Sequence, residues 1–210
     1  STHCISSAAS DVYKRQEFGG SLIMKELETR IIDIDVEKIR ETLNKLGAEN
    51  VKRENQTNDI FDFPDRKLLD KKGYARIRTV EDLINNKTVY FMTTKKMLSQ
   101  DKFKVMEENE TIIEDGAMGK NIFKSLGLEL FETIKKYRES YKYKDSLIEI
   151  DINDPSFCPF PYIEIETSSE EKLSEILIDL GYSMEDTTSK TIYEILKDKG
   201  ISPDSNKKGL

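Results

Sequence analysis

Eight stretches of the chain alternate apolar and polar residues with the two-residue period of a half-buried strand, at about residues 25–32, 57–63, 74–80, 88–95, 103–114, 133–143, 146–152 and 161–167. Asn85-Asn86 and Lys144-Asp145 lie between such runs as hairpin turns, so neighbouring strands are expected to be antiparallel. The segment from Asp154 to Pro161 carries three prolines that cannot donate to a sheet ladder and predicts an irregular connection. Four segments switch to helical spacing. Asp35 caps the first, with Val36, Ile39, Leu43 and Leu46 on one face before Gly47. A second runs near 117–126 and stops at Gly127. Ser168-Ser-Glu-Glu171 reads as a capping box before Leu173, Ile176, Leu177 and Leu180, with Gly181 beyond. The last spans about 188–198.

The polar positions of the strands are unusual in kind. Glu26-Leu-Glu28-Thr-Arg30, Arg76-Ile-Arg78, Glu149-Ile-Asp151 and Glu164-Ile-Glu166 place charges at every second position. Each run therefore sets its charges on one sheet face and its apolar residues on the other. A face that is merely wet would tolerate Ser, Thr, Asn and Gln. A flat eight-stranded sheet would expose that charged face and two edges, whereas closure removes the edges and encloses the charges. The fold class expected is α+β: a closed eight-stranded antiparallel β-barrel, charged inside, with helices packed on its apolar outside.

Composition narrows the chemistry. Residues 1–23 lack either periodicity and hold no apolar run long enough for a signal peptide, so they are read as a non-native or disordered leader. Residues 24–198 form the single domain, and 199–210 a disordered tail. Setting the leader aside removes the only His and one of two Cys, leaving Cys158. No disulfide is then possible within the domain, which fits a reducing cytoplasm, and no Cys/His set remains for zinc. A metal would have to be held by oxygen, which selects Mg²⁺, Mn²⁺ or Ca²⁺. A net charge of −7 argues against nucleic acid as partner, and no segment has the apolar length to span a membrane. Yet 35% of residues are charged, so their placement carries the information.

The alternation turns Glu26, Glu28, Glu108, Glu110, Glu149, Asp151, Glu164 and Glu166 inward, with Arg30, Arg76, Arg78, Lys95, Lys104, Lys136 and Arg138. Facing carboxylates repel unless protonated or bound to metal, and unpaired buried charge is costly. Carboxylates from the first and last strands could share divalent cations. Several Arg and Lys side chains in the same space suit a ligand with more than one phosphate. Any single run reads more readily as a solvated face pairing across strands; all of them in one alternation do not.

Glu26-Leu-Glu28-Thr-Arg30 resembles the Glu-x-Glu-x-Lys motif of the CYTH superfamily, the triphosphate tunnel metalloenzymes. The order of later motifs is similar: Asp59 to Asp65 with Leu68-Leu69, Gly73-Tyr-Ala-Arg76-Ile-Arg78, Thr93-Thr-Lys95, Glu108-Asn-Glu110, Lys136-Tyr-Arg138, Glu149-Ile-Asp151 and Glu164-Ile-Glu166. The resemblance covers about residues 24–197 and is closest to the bacterial class IV adenylyl cyclase branch. It implies a tunnel binding a triphosphate and Mg²⁺ or Mn²⁺. Glu26, Glu28, Glu164 and Glu166 would be the main metal ligands, helped by Glu110 and Asp151. Arg30, Arg76, Arg78, Lys95, Lys104, Lys136 and Arg138 would hold phosphates, with Arg30 and Lys95 the residues expected to act in catalysis. The substrates implied are ATP, tripolyphosphate or thiamine triphosphate, and a homodimer is possible.

Two departures bear on mechanism. Arg30 stands where the motif has Lys, and arginine stays protonated, so it can hold phosphate but cannot act as a base. Met106 stands where many members carry Arg, so Lys104 would have to replace that contact. Lys190 could reach a tunnel mouth, although an exposed lysine is the simpler reading. Conversion of ATP to cyclic AMP and pyrophosphate is the preferred expectation. Triphosphate hydrolysis is the alternative, and a non-catalytic nucleotide or polyphosphate sensor is the reading from another class.

Overall fold

The last strand shows how the alternation builds the molecule. In Tyr162–Thr167, Ile163 and Ile165 are fully buried on the outer side, while Tyr162, Glu164 and Glu166 turn into a central cavity. The computed structural model describes residues 27–100 and 104–201, without the side chains of residues 100 and 104–106. Glu26, the side chains of Lys104 and Met106, the leader and most of the tail lie outside the described residues, so those expectations are not addressed by it.

The strands are β1 (Leu27–Ile32), β2 (Glu49–Asp62), β3 (Tyr74–Asp82), β4 (Lys87–Gln100), β5 (Lys104–Ile113), β6 (Glu129–Tyr143), β7 (Ser146–Asn153) and β8 (Tyr162–Thr167). Among the described residues the α-helices are α1 (Val36–Lys45), α2 (Gly116–Ser125), α3 (Glu170–Leu180) and α4 (Ile192–Asp198). Every strand pairing is antiparallel, in the order β1-β5-β4-β3-β2-β6-β7-β8. Lys144 and Asp145 both have positive φ (48° and 57°), the type I′ geometry expected between β6 and β7.

The expectation of a fully closed barrel needs correction at one seam. β1 pairs with β8 over six residues, but among the described residues it meets β5 only where Glu28 lies opposite Lys104. The short β1 is engaged by β8 along its length and reaches β5 at one point. The sheet is thus a curled half-barrel whose ends touch, not a sealed tube.

Two helices cover the outer face of the acidic strands. Ile39 and Leu43 of α1 and Leu173, Ile176 and Leu177 of α3 pack with Ile31, Ile148, Ile150, Ile163 and Ile165. Each isoleucine so buried contributes about 1.5–3 kcal/mol. That energy holds β1, β7 and β8 together although their other face is charged. On the opposite side α2 places Phe123 against Phe61 and Ile77. Gly119 allows the approach, since a Cβ there would lie 2.5 Å from Ile113 and 2.9 Å from Ile77.

Differences from the sequence reading are local. β2 begins at Glu49, eight residues before the expected start, because its first half carries few apolar residues to mark it. α4 begins at Ile192, after a 3₁₀ turn at Met184–Asp186 and a Thr191/Glu194 capping box. The α3 cap is Ser169, whose hydroxyl accepts from the Lys172 amide, instead of Ser168. No helix among the described residues is long and apolar enough to cross a membrane.

Candidate active site

The inner face encloses one cavity of about 1040 Å³. Of the expected inward charges, Glu28, Arg30, Arg76, Arg78, Lys95, Glu108, Glu110, Lys136, Arg138, Glu149, Glu164 and Glu166 all line it. Asp151 is fully buried in its wall. These groups fall into two clusters.

The first belongs to β3, β4 and β5. Arg78 Nη2 donates to both Glu110 oxygens at 3.0 Å, and Arg76 Nη2 lies 3.3 Å from Glu110 and 3.5 Å from Glu108. Lys95 Nζ is 3.0 Å from Glu108, and the Thr93 hydroxyl donates to Glu110 at 2.7 Å. Burial would raise the Glu110 pKa, but Arg78, the Thr93 hydrogen bond and Arg76 together hold it below the ordinary carboxylate value. Burial likewise opposes ionisation of Tyr74, yet Arg76 and Lys95 outweigh it and lower the phenol.

The second cluster joins β6, β7, β8 and β1. Arg138 donates through Nε to Asp151 at 2.6 Å, through Nη2 to Asp151 at 2.5 Å and to Glu164 at 2.9 Å, and through Nη1 to Glu149. Lys136 donates to Asp151 at 2.7 Å. Asp151 stays below its ordinary value despite complete burial because Arg138 and Lys136 flank it. Arg30 Nη2 bridges Glu28, at 2.5 Å, and Glu164, while Nη1 donates to the Lys190 carbonyl at 3.0 Å.

Glu166 behaves differently. Burial, followed by the charges of Glu149, Glu164 and Glu28, pushes its pKa up to about 8. Four carboxylates from β1, β7 and β8 thus gather without enough positive charge at Glu166. Oxygen-only donors of this kind suit a hard divalent cation in ligand type. Among the described residues no three acids converge at ligand spacing. The guanidiniums of Arg30 and Arg138 bridge them instead. Glu110 and Asp151, expected as auxiliary ligands, are engaged by Arg76 and Arg78 and by Lys136 and Arg138, respectively.

Other placements differ from the simplest reading. Lys190 directs its side chain to Asp198 at 2.6 Å on the surface, and only its carbonyl reaches the site. Asp62 organises the loop after β2 by accepting from the amides of Phe63, Leu68 and Leu69. The sequence reading missed Lys52, Glu54, Tyr74 and Tyr162, and the α4 residues Tyr193 and Glu194, all of which line the cavity. Extending the β2 alternation back from Asn58 would have found Lys52 and Glu54. Nothing in the local sequence marks α4 as part of the cavity wall.

The model of the CYTH domain matches residues 24–192, and the chain belongs to that family. A Methanocaldococcus jannaschii protein named "putative adenylate cyclase" is 32% identical over 182 residues, spanning 82% of this chain and 98% of that protein. A conserved hypothetical protein from Pyrococcus furiosus is 26% identical and superposes with a TM-score of 0.64, covering 81% of this chain and 99% of that one. A Hippeastrum protein described as a "putative adenylyl cyclase" with a dominant triphosphatase activity shares the fold at 17% identity. Its TM-score is 0.64, with 86% of this chain and 100% of that one covered.

Proposed function

We propose that this protein is a divalent-metal-dependent enzyme that processes a triphosphate inside its half-barrel, with cyclisation of ATP to cyclic AMP and pyrophosphate as the preferred reaction. The observation that carries the reading is the concentration of Arg30, Arg76, Arg78, Lys95, Lys136 and Arg138 in the same cavity as the carboxylates Glu28, Glu149, Glu164 and Glu166. Mg²⁺ or Mn²⁺ held by Glu28, Glu164 and Glu166, with Glu26, would supply Lewis-acid neutralisation of phosphate charge. Arg76, Arg78, Lys95, Lys136 and Arg138 hold phosphate oxygens and offset charge on the leaving group, with Lys104 as a further contact. Arg30 bridges Glu28 and Glu164, is a further phosphate contact and stays a cation throughout. Positioning and electrostatics account for most of catalysis in such transfers.

The nucleoside preference is supported by space and surface. The cavity exceeds what a bare triphosphate fills, and its wall includes apolar Val80, Val89, Phe91, Ile112 and Leu147. Val80 faces Val89 and Phe91 faces Ile112 across neighbouring strands, forming an apolar band suited to a base or sugar. Hydrolysis is the second reading, since the Hippeastrum protein combines the same fold with triphosphatase activity.

Incubation with ATP, thiamine triphosphate and tripolyphosphate, each with Mg²⁺ or Mn²⁺, separates these readings. Cyclic AMP with pyrophosphate is the expected outcome. Orthophosphate release establishes the hydrolase, and tight binding without turnover a sensor. Glu164→Gln and Glu166→Gln are expected to lower metal-dependent turnover by about a hundredfold or more. Unchanged turnover in both variants contradicts the metal assignment.

A further inference from the structure

A single nitrogen of Arg30, Nη2, donates simultaneously to Glu28 and Glu164 on the paired strands β1 and β8. It therefore occupies the point where a cation shared by those two carboxylates would sit. The residue is about 8% exposed, and its Nε lacks any hydrogen-bond partner. The Nε atoms of Arg76 and Arg78 in the facing cluster are likewise buried without an acceptor. The cavity's guanidiniums are thus satisfied on one side by the protein's own carboxylates and unsatisfied on another. A triphosphate arriving alone would meet those carboxylates as well as the cations. A divalent ion arriving alone would have to displace a guanidinium left with nowhere favourable to go.

We propose that Arg30 is a resident counter-cation that competes with the divalent ion for Glu28 and Glu164 and is released toward phosphate when the ion binds, so that metal and triphosphate bind cooperatively. This rests on the triphosphate reading above and adds to it a positioning role for one residue. In the exchange, the ion takes the carboxylate oxygens and the freed Nη2 gains a phosphate oxygen as acceptor. Nη1 can keep its bond to the Lys190 carbonyl, so the guanidinium pivots without leaving the site. No charge is then left buried alone. By linkage, whatever factor one ligand gains from the other is gained in return.

The test measures Mn²⁺ binding to the full chain by electron paramagnetic resonance, alone and with inorganic imidotriphosphate, whose bridging nitrogens resist hydrolysis. Binding of Mn²⁺ to imidotriphosphate in buffer is measured separately and subtracted. The wild-type chain is expected to bind Mn²⁺ weakly alone and at least about tenfold more tightly with imidotriphosphate. Arg30→Met is expected to bind Mn²⁺ alone about tenfold more tightly than wild type, with the coupling reduced by a similar factor. Arg30→Lys, which keeps the charge but loses the planar fork, should fall between them. If Arg30→Met does not fold, the wild-type coupling and the Arg30→Lys shift still decide. Independent binding of the two ligands by wild type overturns the exchange and leaves the triphosphate reading standing. Equal Mn²⁺ affinity in wild type and folded Arg30→Met overturns it too. Absence of any binding in every combination overturns the triphosphate reading and the exchange together.

Discussion

Arg138 holds Glu149, Asp151 and Glu164 at once, so removing its guanidinium would leave three buried or nearly buried carboxylates facing one another. Breaking a buried ion pair from one side costs about 3–5 kcal/mol. Arg138→Met is accordingly expected to lower the unfolding midpoint and abolish triphosphate binding, by urea denaturation and calorimetry respectively. Arg138→Lys should recover part of the stability and little of the binding, because an ammonium cannot reproduce the fork. Equal recovery of both would show that only the charge matters. At this scale the sequence was highly informative: two-residue periodicity turns Glu164, Glu166, Arg76 and Arg78 inward without knowledge of the fold. It could not show which acid meets which base. Most of those pairings join different strands, from Arg138 with Glu149, 11 positions apart, to Arg30 with Glu164, 134 apart.

The outward neighbour of Arg138 serves the elements and not the site. Glu139 accepts from Arg40 Nε at 3.2 Å and Nη2 at 2.7 Å, and from the hydroxyls of Tyr137 and Tyr141, fastening α1 to β6. Burial works against its charge, but these hydrogen bonds, led by Arg40, hold its pKa below the ordinary 4.5. A depressed folded-state value means that this stabilisation is complete above 4.5 and is lost as pH falls through the depressed value. Glu139→Gln should cost about 1–3 kcal/mol at neutral pH, with a gap to wild type that narrows on acidification and with triphosphate binding unchanged. A gap independent of pH would contradict the ionised clamp. The α3 cap offers a sharper local comparison. Ser169→Ala is expected to cost about 1 kcal/mol in chemical denaturation and Ser168→Ala only a few tenths, because Ser169 makes the bond to Lys172. Helix and strand identity was legible because caps, glycines and periodicity agree. Both serines satisfy the cap pattern, so position alone could not choose between them. The start of β2 was hidden because Lys52-Arg-Glu54-Asn carries no apolar alternation.

Over the whole molecule, burial and charge are divided between two faces of one curled sheet. Isoleucines on the outer face of β1, β7 and β8 supply the packing, and that packing holds mutually repelling carboxylates on the inner face. The number of strands and the location of charge pointed to this arrangement. The seam did not follow from them, since closure depends on how far β1 reaches beside β5 and not on strand count. Ligand binding in the cavity should stabilise the fold by mass action, so Mg²⁺ with imidotriphosphate is expected to raise the melting temperature more than the sum of either alone.

The most direct measurement is isothermal titration calorimetry of Mg·imidotriphosphate into the full chain, beside Arg76→Met/Arg78→Met. Saturable binding of one triphosphate per chain, lost in the double variant and abolished when EDTA replaces Mg²⁺, is the result expected. Absence of binding to the wild-type chain, or binding that ignores both the arginines and the metal, would contradict a metal-dependent triphosphate site in the half-barrel.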